Sequence, residues 1–296
     1  MNRHMDSELD RLFKERTEKG ANSNPTTSKS IASLLLDEFL KDNEKHEMTL
    51  SSESWKEWKQ FMAPQLRTFL FAGHDTTSST LLYCYYLLDA NPEALQHLRA
   101  EHDEVFGADP TKACELIHEN PVLLNQLPYT LAVVKETLRL YAPSGALRIG
   151  RPGAEIVDED GNRFPTENSQ IMLLAQALHR NPKYWKHPDS FMPERWLVGP
   201  SDPLYPPKGA WRPFETGPRN CIGQTLALLE MRIVLVMTVR EFLISPAYDQ
   251  WDKEHPTRGI KSARGNRVYQ VSMGGGGLHP PDGFPATVKL NQERRK

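Results

Sequence analysis

One short segment constrains this chain most: Gly-Pro-Arg-Asn-Cys-Ile-Gly, at positions 217–223, stands directly before a long apolar stretch. Apolar spacing predicts a helix over residues 222 to about 242, so Cys221 is expected at its first turn. Free backbone N–H groups and the positive end of the helix dipole favour a negatively charged sulfur there, and Arg219 adds positive charge. The segment therefore indicates a cysteine that acts as a ligand.

Two glycines flank the cysteine and favour the same interpretation. Gly217 permits a backbone turn that other residues resist, and Gly223 has no side chain to obstruct a flat ligand against the start of the helix. The alternative is a buried cysteine that acts as a small hydrophobic residue, which is the usual role of a single cysteine. Because that role needs no glycine or arginine nearby, we expect an exposed thiolate held against a large cofactor.

Composition excludes several classes of protein. The 296 residues are 39% hydrophobic and 25% charged with a formal net charge of −2, which is typical of a globular chain and not of a nucleic-acid binder. Cys84, Cys114 and Cys221 are too few for a disulfide framework, and no Cys/His cluster indicates zinc. No signal peptide and no run of ~20 apolar residues is present. We expect no nucleic-acid partner and no membrane span in this chain.

Helical periodicity dominates, and strand signals are few. The predicted helices cover residues 30–40 (capped by Thr27 or Ser28, after a loop at 20–25), 64–88, 92–105, 127–141 and 222–242. The predicted strand segments are 156–157 and 171–174, around the turn signal Asp160-Gly161, and 267–272 and 287–290, around the glycines at 274–277. The fold class is therefore mainly α with small β-sheets (α+β).

Two polar features lie inside predicted helices. Residues 71–77, Phe-Ala-Gly-His-Asp-Thr-Thr, combine poor helix formers with threonine hydroxyls that divert backbone hydrogen bonds, which indicates an opened helix or a kink of packing origin. Glu136 and Arg139 lie on one helix face, where most such pairs are solvated and contribute ~0 to 1 kcal/mol. Apolar neighbours at 133, 134, 138 and 140 predict that this pair is buried, where charges need partners.

Together these segments resemble the cytochrome P450 family. Residues 214–223 match its FxxGxRxCxG haem-binding loop, 72–77 its AGxDTT helix, 136–139 its ExxR motif and 191–196 its PERF-like stretch, in the family's order. The sequence is similar to fungal microsomal-type members. The resemblance implies a cytochrome P450 fold whose N-terminal half is missing here. Residues 1–60 are then a polar N-terminal segment with one helix, and residues 61–296 are the C-terminal haem-binding part.

The resemblance implies roles for the residues around the cofactor. Cys221 supplies the axial thiolate to the iron of haem b, an electron-donating ligand that favours O–O cleavage. Arg219, Arg148 and Arg180 pair with the haem propionates, and Phe214 packs beside the sulfur. Gly217 and Gly223 shape the loop.

The resemblance also gives roles to two helical motifs. Ala72 and Gly73 leave room above the haem, while Asp75 and Thr76 relay protons to the bound dioxygen. Arg195 joins Glu136 and Arg139 in a structural network behind the cysteine loop. His74 and His179 are not expected to bind iron, since neither has a second ligand at useful spacing.

The function implied by the resemblance is a haem-thiolate monooxygenase that inserts one atom of O₂ into a lipophilic substrate, as in fungal secondary metabolism. NADPH-cytochrome P450 reductase supplies the electrons, and a full-length form is expected on the cytoplasmic face of the endoplasmic reticulum. The chain as written is expected in the cytoplasm. One alternative is a haem-thiolate isomerase or dehydratase, against which Asp75 and Thr76 argue. The other is a truncated fragment with impaired catalysis.

Overall fold

The computed structural model describes residues 2–19, 30–43, 48–272 and 277–291. The predicted loop at 20–25 and glycines 274–276 lie outside these ranges. The predicted caps Thr27 and Ser28 were wrong, because the N-cap of the helix that begins at Ile31 is Ser30, whose hydroxyl accepts from the Ser33 N–H at 3.1 Å. Within the described ranges the helices are α1 Asn2–Lys19, α2 Ile31–Asp42, α3 Glu53–Ala90, α4 Pro92–Phe106, α5 Ala113–Glu119, α6 Pro128–Leu140, α7 Ala175–His179, α8 Gln224–Thr238 and α9 Tyr248–Glu254. Among these helices none has both the length and the apolar character that a bilayer crossing needs.

The strands are short and pair in twos. They are β1 Ala146–Ile149, β2 Glu155–Val157, β3 Arg163–Pro165, β4 Gln170–Leu173, β5 Phe242–Pro246, β6 Val271–Ser272, β7 Leu278–His279 and β8 Ala286–Leu290. Among the described residues the strands form four antiparallel sheets, with the pairings β1–β4, β2–β3, β5–β8 and β6–β7. The predicted class of mainly α with small β-sheets is confirmed.

Contacts divide the chain into two compact units, residues 1–74 and 75–296. In the first unit, Leu9 and Phe13 of α1, Leu36 of α2 and Trp55 of α3 form a buried apolar cluster. The prediction of one helix in residues 1–60 was therefore wrong, because α1 and α2 are both complete helices and α3 begins at Glu53. Helix α1 was not predicted because its many charged residues outnumber the apolar residues that recur at helical spacing.

Helix α3 differs from the predicted helix over 64–88 at its start. Pro64 lies inside the helix and not in its first turn. Burial of Trp55 against the cluster of the first unit stabilises the additional turns before Pro64. The helix is also continuous through residues 71–77, so the predicted opening is not observed there.

In the second unit, α3, α4, α6 and α8 enclose a core that includes Cys84, Leu98, Val133, Leu138 and Leu235. The helices predicted over 92–105 and 127–141 are confirmed to within a residue or two. The turn signal Asp160-Gly161 lies between β2 and β3, which form a hairpin, although β3 was not among the predicted strand segments.

The end of α8 was predicted four residues too late. The chain leaves the helix at Thr238, and the segment after it forms β5, paired with β8. Apolar periodicity continues across that boundary, so only the long-range pairing distinguishes the strand from the helix. Strand β6 is likewise shorter than predicted, since only Val271 and Ser272 of the segment 267–272 are in a strand.

Candidate haem-binding site

The cysteine loop leads into α8 as a turn and not as its first helical residues. Helix α8 begins at Gln224 with Gly223 as its N-cap residue, so Cys221 lies three residues before the helix and not on its first turn as predicted. The Cys221 N–H donates to the Phe214 carbonyl at 2.8 Å, and Gly217 has a φ of +81°, a conformation that favours glycine. These contacts fix the backbone while the Cys221 side chain remains exposed.

The residues that follow Cys221 include two exposed apolar side chains and one glycine, which has no side chain. A Cβ on Gly223 would lie 3.8 Å from the Cys221 sulfur. A side chain at this position would therefore begin in contact with the sulfur. Ile222 and Leu226 are 87% and 58% exposed. An exposed thiol, a glycine and two exposed aliphatic side chains suit a flat apolar ligand with a metal at its centre, as haem is.

The cysteine loop lines a depression of about 320 Å³, together with residues that include Trp211 and Gln224. The Phe214 ring lies 6.0 Å from the Trp211 ring, and both pack against the helical core of the second unit. Phe214 thus connects the cysteine loop to the core, in addition to receiving the hydrogen bond of the cysteine at its carbonyl.

Behind the loop lies the predicted charge network, and it is fully buried. Glu136, Arg139 and Arg195 each have 0% exposure. Arg139 donates to both Glu136 oxygens, at 3.0 and 2.8 Å, and Arg195 Nε donates to Oε1 at 3.0 Å. The Met192 N–H and the Trp196 indole N–H also donate to this carboxylate, each at 3.0 Å. The sequence analysis predicted the three charged members but not these two further donors.

The remaining donors of the arginines bind the loop that precedes the cysteine segment. Arg139 donates to the carbonyls of His179, Pro188 and Ser190 at 2.6–2.9 Å. The network therefore fixes irregular backbone in the proline-rich stretch 181–220. This stretch has a definite structure, although its apolar residues follow neither helix nor strand spacing.

His179 connects this network to the cysteine loop, a role that sequence reasoning missed. Its Nδ1–H donates to the Arg139 carbonyl at 3.1 Å, and its Nε2 accepts from the Arg212 N–H at 2.8 Å. The side chain is fully buried, and desolvation lowers the pKa of His179 to about 4. A neutral imidazole satisfied at both nitrogens has no free position for a metal, which agrees with its exclusion as an iron ligand.

The motif on α3 has a different neighbour. Asp75 and Thr76 are half-buried, while Ala72 and Gly73 are exposed. Asp75 Oδ1 is 3.0 Å from Nε2 of His279, on β7, and the other carboxylate oxygen is buried without a hydrogen-bond partner among the described residues. His279 was not predicted, since 204 residues separate the pair and no local pattern indicates it.

The three predicted propionate partners differ in their surroundings. Arg148, on β1, and Arg219, in the cysteine loop, are exposed. The Arg180 guanidinium instead contacts Asp189 at 2.6 Å and the Leu140 carbonyl at 3.1 Å, and it lies over the Tyr141 ring. A role of Arg180 with a propionate would require it to leave these partners.

The other two cysteines differ in their environments. Cys84 is buried in the core, where desolvation raises the pKa of its thiol to about 12, and it donates to Thr137. Cys114 is exposed on the short helix α5. Within the parts of the chain that the structure describes, no group of three or more His, Cys, Asp or Glu side chains could hold a metal ion.

Comparison with known proteins agrees with this site. The sequence model of the family "Cytochrome P450" matches residues 1–272. Cytochrome P450 monooxygenase polC of Polytolypa hystricis is 44% identical over 294 residues, which are 98% of this chain and 52% of that protein. Cytochrome P450 monooxygenase acrF of Aspergillus aculeatus is 34% identical over 90% of this chain and 56% of its own length. Cytochrome P450 4V2 of Mus musculus is 35% identical over 76% of this chain and 39% of its own.

The chain thus spans about half the length of these two fungal relatives. The family model spans the residues of the charge network and of the cysteine loop, and the two fungal relatives are 44% and 34% identical to this chain. On both grounds the chain belongs to the cytochrome P450 family.

Proposed function

We propose that this chain carries the haem-thiolate centre of a monooxygenase that inserts one atom of O₂ into a lipophilic organic substrate. The observation that carries the proposal is the Cys221 side chain, exposed in a loop whose backbone is fixed by hydrogen bonds. The fungal relatives named as cytochrome P450 monooxygenases support the reaction class.

The residues present fit haem b. Cys221 would supply the thiolate ligand, and the exposed Arg148 and Arg219 are the proposed partners of the propionates. Exposed Ile222 and Leu226 would lie against the apolar ring, and Gly223 leaves space beside the sulfur. When bound, haem supplies the redox chemistry that activates O₂. Arg180, already paired with Asp189, is a weaker candidate for a propionate.

Two further groups of residues stabilise and serve this centre in the proposal. Glu136, Arg139 and Arg195 fix the backbone behind the loop, and His179 transmits that order to Arg212. The carboxylate of Asp75 and the hydroxyl of Thr76 hold and move the protons that reduction of O₂ consumes. Ala72 and Gly73, small and exposed, leave space for the ligand.

The partners follow from the same chemistry. A lipophilic substrate suits the exposed apolar side chains near the family's substrate-contacting segments, such as Leu147 on β1 at 50% exposure. We propose that electrons come from NADPH through cytochrome P450 reductase, and that the protein acts at the cytoplasmic face of the endoplasmic reticulum. Cell fractionation with co-precipitation of the reductase tests this pairing.

The test of the central proposal is the absorption spectrum of the reduced, CO-bound protein after expression with haem supplied. We expect a thiolate-type Soret band that Cys221→Ser removes. Cys114→Ser is the matched control, since Cys114 is also exposed but lies on α5, and it should keep the band. A parent protein that binds haem without this band, or a band that survives Cys221→Ser, contradicts the proposal.

A further inference from the structure

The short strand β7 is fixed against α3 at the position of Asp75. Ser79 Oγ, one turn after Asp75 on α3, donates to the Leu278 carbonyl at 2.5 Å. The Leu278 N–H donates to the Pro143 carbonyl at 2.8 Å, and His279 pairs with Val271 of β6. Because three separate elements bind this strand, the backbone that carries the His279 ring has little freedom.

The His279 ring in turn binds Asp75. Its Nε2 lies 3.0 Å from Oδ1, and the two side chains are 22% and 23% exposed. An ionised carboxylate only accepts hydrogen bonds, so Nε2 must carry the proton of this contact. The pair is therefore oriented: the histidine donates and the aspartate accepts. Its partial burial makes the contact stronger than that of a solvated pair.

The Asp75 carboxylate also lies close to Gly277, the residue before β7. A Cβ on Gly277 would lie 2.3 Å from Asp75 Oδ2 and 3.1 Å from His279 Nε2, so any side chain at this position would displace the Asp75 carboxylate. Oδ2 itself is buried and has no hydrogen-bond partner in the described part of the chain. A buried acceptor without a partner is rare and requires an explanation, such as a ligand, a water molecule or a catalytic role.

We propose that His279 is a positioning residue for Asp75: it holds Oδ1 in a hydrogen bond and so leaves Oδ2 as the oxygen that exchanges protons. The inference rests on the proposed monooxygenase function, in which Asp75 serves proton delivery. The ring fixes the rotation of the carboxylate, and Gly277 permits the close approach. Without the ring, the carboxylate rotates and its proton-exchanging oxygen is no longer held in one place.

The first test compares His279→Ala with His279→Gln in the haem-loaded protein, because glutamine retains an N–H donor of similar reach. We expect His279→Ala to convert severalfold less of the consumed O₂ into product and to release more peroxide, and His279→Gln to restore most of the coupling. His255→Ala is the control: His255 is the C-cap residue of α9, its ring hydrogen-bonds to the Trp251 carbonyl, and this variant should not change coupling. Equal coupling in parent and His279→Ala, or no rescue by glutamine, overturns the inference.

The second test does not depend on turnover. In ¹⁵N NMR of the diamagnetic, reduced CO-bound protein, we expect His279 as the Nε2–H tautomer, and we expect Asp75→Asn to weaken that preference. A Nδ1–H tautomer in the parent protein overturns the inference, even if an alanine variant fails to fold. If the parent lacks the thiolate-type Soret band, the proposed function fails instead, so the two failures are distinguishable.

Discussion

Glu136 and Asp75 are both carboxylates on helices of the second unit, but their environments are opposite. Glu136 is fully buried and accepts three hydrogen bonds at Oε1 and two at Oε2. Asp75 is partly exposed, accepts one bond at Oδ1 from His279 and none at Oδ2 from the described residues. One carboxylate is saturated, and the other retains an unused acceptor.

This difference suits the two carboxylates to different roles, one in stability and one in proton exchange. A buried charge whose lone pairs are all occupied can neither bind a further ligand nor exchange a proton without breaking the structure around it. A half-buried carboxylate with an unpaired oxygen can exchange a proton at that oxygen without breaking such a network. The comparison supports the proposed roles, in which Glu136 stabilises the backbone behind the cysteine loop and Asp75 serves proton delivery.

The largest expected effect comes from removing the charge of the saturated carboxylate. Glu136→Gln leaves two buried arginines without their counter-charge, and we expect a loss of about 3–5 kcal/mol in the free energy of unfolding. Asp75→Asn, the same chemical change at the unsaturated site, should cost about 1 kcal/mol or less, because its partner histidine is partly exposed. Denaturant unfolding measures both, and similar losses in the two variants would contradict the comparison.

A smaller effect is expected from protonation of His179, which joins the saturated network to the cysteine loop. The folded protein keeps this ring neutral, with its pKa at about 4 and not the ordinary 6.5. The unfolded chain therefore binds a proton that the folded protein does not, as the pH falls from 6.5 towards 4. The stabilisation is complete above pH 6.5 and decreases through this window by about 3 kcal/mol.

The measurement is the free energy of unfolding at a series of pH values, for the parent and for His179→Asn, which cannot be protonated. Other groups also titrate, so the prediction concerns the difference between the two proteins. The parent should lose more stability than His179→Asn between pH 6.5 and 4. Parallel curves would show that the ring is not held neutral.

The smallest effect on stability is expected for Thr76, next to Asp75. The same substitution should have a specific effect on proton delivery. Thr76→Ala removes a half-buried hydroxyl, and we expect a change in unfolding free energy of about 1 kcal/mol or less. Proton delivery should nevertheless fail, so the haem-loaded protein should release more peroxide per substrate oxidised. Ser78→Ala, an exposed hydroxyl deletion on the same helix, is the control and should not change peroxide release. Unchanged coupling in Thr76→Ala would contradict a role of this hydroxyl.

The parts of this structure that the sequence predicted are those with a local signal. The helices α4 and α6 follow from apolar spacing, and burial of Glu136 and Arg139 follows from their apolar neighbours. Strand β5 and the ring of His279 were missed because their partners lie far away in the chain. Helix α1 was missed because charged side chains surround its few buried ones.

The connection through His179 has a consequence for redesign of this protein. One imidazole joins the carbonyl of Arg139 on α6 to the amide of Arg212, nine residues before the cysteine. A substitution that displaces α6 by a fraction of an ångström would thus be transmitted to the backbone that presents the sulfur. Libraries that aim at new substrates should vary the exposed residues of β1 and leave the inner face of α6 unaltered.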